Sequence, residues 1–192
     1  MNKRYWYTLN LFFIRSPGKR AEYMKKHGIF HSIGKQVAFN TIKVPLYAKL
    51  ISIGNNVRIA NGVEFLTHDF THFMLNRRND GCRYVEKIGC IEIGNNVWIG
   101  SGSKILYNVR IGDNVIIGAG TLINRDVPSN SVVAGVPGRV ICSFEDYLRR
   151  RKAFFVKHPA DNVNQEISPD CEREMWDDFH LKHAQEQVAK RE

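Results

Sequence analysis

The residues best suited to chemistry lie in one short stretch, Thr67-His68-Asp69, with a second histidine at His72. A hydroxyl is a poor nucleophile at neutral pH, and activating it needs a base that titrates near 7. Histidine is the side chain that does so. His68 is therefore the candidate general base and His72 the second choice. Asp69 stands where it could orient the histidine or contact a substrate. The four cysteines (Cys82, Cys90, Cys142, Cys171) show no C-x-x-C pair and no histidine at zinc-ligand spacing, so no metal site is expected and a reduced chain is the simplest reading.

What positions these residues is a repeat. Cut into hexapeptides from Ile93, the chain reads IGNNVW, IGSGSK, ILYNVR, IGDNVI, IGAGTL, INRDVP. An upstream tract follows the same rule: IGNNVR at Ile53, IANGVE at Ile59 and FLTHDF at Phe65. A weaker block, IGKQVA at Ile33, requires a slip of two positions before Ile53. Period six is neither helical nor a simple strand alternation. It describes a short strand and a turn, with the first and fifth positions facing inward and Gly, Asn and Asp at the bends. Three blocks close a triangular coil, and stacked coils bury an aliphatic column. His68 falls at the lip of the one long break in this phase, residues 70–90, which carries Arg77, Arg78, Arg83, an Asn79-Asp80-Gly81 turn signal and several aromatics. Long loops on rigid scaffolds usually carry function.

The organisation that follows is a helical cap over 1–32, a repeat domain over 33–141 and a helical extension over 142–192. Ser16-Pro17 reads as an N-cap and first helical position, with a stop near Gly28. Before it, Tyr5, Leu9, Phe12 and Phe13 share a helical face among basic residues. The favoured reading is a cap on the open end of the coils, and a membrane-surface helix is the other. Ser143 and Asp146 fit a capping box. A last helix from Ser168-Pro169 carries Met175, Trp176 and Phe179, and both C-terminal helices are expected to pack on the coils. Residues 161–165 read as a linker.

Charge is uneven across the 192 residues, whose formal net charge is +9. Residues 1–30 carry seven Lys/Arg against one Glu, and residues 145–192 are mildly acidic. A basic body favours phosphorylated ligands or anionic surfaces. Without an interleaved aromatic platform, a nucleic-acid module is not expected. No apolar run is long enough for a transmembrane helix, and no secretory signal is expected.

The stretch IGNNVWIGSGSKIL…IGDNVIIGAGTLINRDVPSNSVVAGVPGRVI resembles the hexapeptide-repeat acyltransferases, in particular the branch of maltose, galactoside and polysaccharide O-acetyltransferases. The resemblance covers roughly residues 33–141. It implies a left-handed parallel β-helix, acetyl-CoA as cosubstrate and a homotrimer whose sites lie between subunits, in the cytoplasm or at the inner face of the membrane. It implies His68 as the general base and the backbone N–H of Ser101 as oxyanion donor. It places the coenzyme along Trp98, Gly100, Ser101, Gly118, Ala119, Asn124, Arg125, Pro137 and Arg139, with the acceptor, a sugar hydroxyl, near Asp69 and His72. Arg125 stands where relatives often have Lys, and Asn124 where Thr is common.

A sugar-nucleotide N-acetyltransferase is the nearest rival, although the segment before Ile33 is too short for the nucleotide-binding domain many of these carry. A chloramphenicol-type acetyltransferase remains open. A serine acetyltransferase would need a large N-terminal helical domain, and a zinc carbonic anhydrase a third ligand. A non-enzymatic β-helix scaffold is disfavoured by the retention of His68 with the Val136-Pro137-Gly138-Arg139 segment.

Overall fold

The computed structural model describes residues 3–157 and 166–189. It separates into two units, 1–148 and 149–192. The first is a left-handed parallel β-helix of triangular coils with helices before it. Short strands stack in register on three faces. The first face holds Ser32–Ile33, Ile51–Ile53, Ile91–Ile93 and Val109–Ile111. The second holds Ala38–Phe39, Val57–Ile59, Val97–Ile99, Val115–Ile117 and Ser131–Ala134. The third holds Glu64–Leu66, Lys104–Leu106 and Leu122–Ile123. The last strand, Arg139–Ser143, returns antiparallel on Ser131–Ala134 and closes the stack.

The first and fifth positions of the hexapeptides point inward, as the repeat requires. Ile93, Ile99, Ile105, Ile111, Ile117 and Ile123 form one continuous buried column with Val97, Val109 and Val115. Ser103 and Thr121 occupy the fifth position too, and both are buried with their hydroxyls donating to Gly118 O at 2.9 and 2.7 Å. A buried hydroxyl left unbonded would cost about 1–3 kcal/mol, so these bonds are what permit polar residues in the column.

The corner between the first and second faces explains two letters of the repeat. Asn56, Asn96, Asn114 and Asn130 all hold positive φ, between 51 and 59°. Their amides form a ladder, Asn56 to Asn96 to Asn114 to Asn130, at 2.8–3.0 Å. A parallel ladder runs through Asn55, Asn95 and Asp113. Glycine in the second position answers a different need. A Cβ on Gly54 would lie 2.4 Å from Gly94 O, and one on Gly94 would lie 2.5 Å from Asp113 Oδ1. The neighbouring coil, rather than a positive φ, excludes a side chain there.

Three hexapeptides make a coil, and the register departs from that rule in three places. Ile33 pairs with Ile53, two positions beyond a full coil, so the expected slip is real. It falls between Phe39 and Ile51, where Ala48–Leu50 make a 3₁₀ turn. Ile93 pairs with Ile111, one coil on, whereas Ile53 pairs with Ile93, more than two coils on. The excess is the insertion. The third departure corrects the sequence reading. Ile105 pairs with Ile123, a full coil on, but Ile111 bridges Val127, two positions short of one. The sixth block therefore loses phase at Asn124–Asp126. Val127 keeps the expected letter while sitting two places out of step, and the Asp126 carboxylate accepts from Arg110 N at 2.8 Å beside it.

Helices α1 (Lys3–Phe13) and α2 (Pro17–Lys26) cover the open first coil. Ser16 caps α2 with Pro17 at its first position, and Gly28 follows at φ +56°. Arg20 of α2 donates to Ile14 O, Phe39 O and Asn40 O, and Lys25 donates to Gly34 O, so cationic side chains satisfy carbonyls of an exposed sheet edge. The apolar seal comes from Leu11, Ala21 and Met24, with Tyr7 and Ile14 packed beside them. This corrects the face assigned to α1. Tyr5, Leu9, Phe12 and Phe13 are not the packing face; they are 54–74% exposed.

The insertion contains a short helix, α3 (Thr71–Leu75), and a 3₁₀ turn ending at Asn79, which has a positive φ. After the hairpin, α4 (Phe144–Lys157) begins with Ser143 and Asp146 bonded reciprocally at 2.7 and 3.0 Å. In the second unit, α5 (Pro169–Ala189) starts where expected, with Cys171 N donating to Ser168 Oγ. Trp176 and Phe179 of this helix lie in edge-to-face contact, with ring centroids 5.5 Å apart. The linker assigned to 161–165 lies outside the described residues, as does Pro159.

Candidate active site

His68 sits at the corner between the third and first faces, where the coil is interrupted. Thr67, fully buried, donates its hydroxyl to Leu46 O at 2.6 Å and fixes the chain just before it. The returning arm of the insertion, Lys87–Ile88, then pairs antiparallel with His68–Asp69, placing Ile88 opposite His68. A histidine on a loose loop would lose orientation; this one is held on both sides. Its ring meets Phe70 edge-on at 4.6 Å and Tyr47 at 5.6 Å. Its Nδ1 is closed off from solvent with no hydrogen-bond partner among the described residues.

Adjacent residues on a strand face opposite sides, and Asp69 accordingly does not turn toward His68. Its Oδ1 accepts from Thr71 N and Thr71 Oγ1, and its Oδ2 accepts from Tyr107 OH at 2.8 Å. The Thr71 hydroxyl, followed by Tyr107, holds the Asp69 carboxyl below its ordinary pKa, while the bond to Asp69 pushes the Tyr107 phenol up. Asp69 is thus a staple between the insertion and the coil beneath, not an orienter of the histidine. His72, on α3, packs against Phe73 at 4.2 Å and does not line the His68 cavity.

That cavity, about 120 Å³, is bounded by Arg4, Lys43, Pro45, Leu46, Glu64 and His68. It shares Arg4, Pro45 and Leu46 with a larger one of about 750 Å³, walled by Tyr7, Ile29, Tyr47, Leu50 and Ile88 with Lys49 and His27 among its lining. Sequence reasoning passed over Tyr47 and Arg4. Tyr47 holds φ +52°, a strained setting for an aromatic residue, and donates to Glu86 of the insertion at 2.8 Å. That bond pushes its phenol pKa up.

Ser101 lies at a different corner, between the second and third faces, with Gly100 and Gly102. The N–H groups on either side are bonded, Gly100 to Ile117 O and Gly102 to Asn61 O. The Ser101 N–H has no acceptor among the described residues, and Ser101 is exposed. Gly100 is small because the next coil demands it: an added Cβ would stand 2.5 Å from Ala119 N. A Cβ added to Gly118 would likewise stand 3.1 Å from Ala134 Cβ. Both glycines thus serve coil packing first. Trp98 and Ala119 are exposed.

At the end of the coil stack, Asn124, Arg125 and Arg139 converge on one cavity of about 220 Å³ with Asp126, Pro128 and Gly138. Pro137 is exposed and outside it. Two arginines in the lining of one concavity could hold a phosphate, although Arg139 also donates to Gly138 O at 3.1 Å and Asp126 shares the lining. Among the described residues no three His, Cys, Asp or Glu side chains converge to hold a metal ion.

One side of the triangle separates the Ser101 corner from the corner at Tyr107, beneath His68. At about 3.3 Å per residue, a hexapeptide side spans on the order of 15–20 Å along the coil. Within one chain, His68 and Ser101 therefore belong to separate corners.

Residues 91–125 match the family of bacterial transferase hexapeptide repeats (six repeats). This segment carries the hexapeptide repeats, and the chain has the fold of the hexapeptide-repeat acetyltransferases. It is 45% identical over 98 residues to protein CapG of Staphylococcus aureus, covering 51% of this chain and 55% of that one. It is 42% identical over 108 residues to galactoside O-acetyltransferase of Escherichia coli, covering 56% and 49%. Among solved structures, a galactoside acetyltransferase in complex with coenzyme A superposes with a TM-score of 0.57 at 27% identity, over 77% of this chain and 82% of the other. The chain spans about half the length of these two curated relatives.

Proposed function

We propose that the protein is an acetyl-CoA-dependent O-acetyltransferase acting on a sugar hydroxyl, in the cytoplasm, within the synthesis of a surface polysaccharide. The observation that carries this reading is the placement of one histidine at the interrupted corner of an otherwise uniform coil, pinned by strand pairing and opening on a cavity.

In this reading His68 takes the proton of the acceptor hydroxyl as its oxygen attacks the thioester carbonyl. The carbonyl π electrons move onto oxygen, and the Ser101 N–H stabilises the oxyanion. The carbonyl re-forms, the C–S bond breaks, and the protonated histidine returns its proton to the departing thiolate. The products are the acetyl ester and the free coenzyme thiol. Arg125 and Arg139 hold phosphate groups of the coenzyme in their shared cavity. Because His68 and Ser101 occupy separate corners, the working unit is a homotrimer in which the His68 corner of one chain faces the Ser101 corner of the next. The galactoside acetyltransferase relative supports the acceptor class, and the coenzyme-bound structure supports the cosubstrate.

The test is thiol release from acetyl-CoA across a panel of sugars, nucleotide sugars, amines and chloramphenicol, with product masses. A gain of one acetyl group on a sugar is the expected outcome. Transfer to an amine alone would replace this reading with N-acetylation. Sedimentation should give the mass of three chains, and a monomer would remove the site between subunits.

A further inference from the structure

Helix α1 has two apolar stripes, and the coils use one. At about 100° per residue, Tyr7, Leu11 and Ile14 fall on the side that packs against the first coil. Tyr5, Trp6, Leu9, Phe12 and Phe13 fall within about 120° of one another on the opposite side. They are 60, 45, 54, 64 and 74% exposed. So many large apolar side chains on one short helix make a contiguous patch of the kind that marks an interaction surface.

The surroundings say what kind. No acidic residue occurs between Lys3 and Phe13, and Lys3, Arg15, Lys19 and Lys26 are distributed along α1, α2 and the turn between them, with Glu22 the one acidic residue on α2. Aromatic residues able to sit at a water–hydrocarbon boundary, in a segment rich in lysine and arginine, match an anionic lipid surface in both polarity and charge. No helix among the described residues is long and apolar enough to cross a membrane, so this is a surface contact.

We propose that the outer face of α1 docks the protein on an anionic bilayer, lying in the headgroup plane with Phe12 and Phe13 inserted. Arg4, on the coil-packed side of the same helix, lines the His68 cavity. The docking itself does not depend on the acetyl-transfer reading.

The experiment is co-sedimentation of the full chain with vesicles of phosphatidylcholine alone and with phosphatidylglycerol added. The wild type should pellet with the anionic vesicles and be released by high salt. Changing Phe12→Ser with Phe13→Ser, which removes nothing from the core, should weaken pelleting by at least about tenfold. Arg15→Glu with Lys19→Glu should weaken it without touching the apolar stripe. Equal binding to neutral vesicles, retention by the serine variant, or no binding by the wild type would each overturn the proposal. A changed sedimentation mass in the serine variant would also overturn it, because the face would then be covered by a second copy.

Discussion

Two corners of the same triangular coil are built in opposite ways. The corner of Asn56, Asn96, Asn114 and Asn130 repeats itself over four successive levels, with each amide bonded to the next and the glycines closed against the coil beyond. The corner of His68 repeats nothing. One level carries the long insertion, the next Tyr107-Asn108, and the last the shortened Asn124–Asp126 turn. Uniformity satisfies the backbone; irregularity frees side chains for other work. Stability should therefore be concentrated at the first corner and chemistry at the second.

The sharpest separation is expected from His68→Ala. Acetyl transfer should fall by about 10²–10⁴-fold, the usual worth of a general base, with the melting temperature unchanged. A large drop in melting temperature would make the His68 corner structural as well. Gly94→Ala tests the opposite corner. With 2.5 Å to Asp113 Oδ1, the added methyl should cost about 1–3 kcal/mol of stability, read by thermal melting. A neutral result would show that the coils can slide apart. Arg139→Ala should raise the coenzyme KM about tenfold while leaving kcat nearly intact, because phosphate contacts remote from the reacting bond are mostly uniform binding. An unchanged KM would remove Arg139 from the site. Asn96→Ala should cost about 1 kcal/mol from its amide bonds and positive φ, with Asn96→Gly recovering the φ part.

The smallest effect belongs to Asp69. Its pKa is depressed in the folded chain, so the staple to Thr71 and Tyr107 is intact above the ordinary carboxylate range and weakens as pH falls through the lowered value. Amide exchange in residues 70–90 should quicken over that acidic window in the wild type. In Asp69→Asn it should be quicker already at neutral pH and lack that dependence.

The repeat, the helix starts at Ser16-Pro17 and Ser143, and the slip between Ile33 and Ile53 were legible because each depends on neighbours close along the chain. Tyr47 and Tyr107 were not. They reach the His68 corner from the coil before and the coil after, through stacking that a linear reading does not order. The lost phase at Asn124 was hidden because Val127 keeps the expected letter in the wrong register. On α1, hydrophobic periodicity revealed an apolar stripe but not which of two the coils would cover.

The stacking of three-block coils also makes length come in quanta. Inserting one whole coil between Ile93 and Ile111 would lengthen the prism and leave every corner where it was. Inserting a single hexapeptide, though it obeys the repeat letter for letter, would turn everything downstream by one face. Arg125 and Arg139 would then be carried around to the wrong side of the prism, in a protein whose core was as well filled as before.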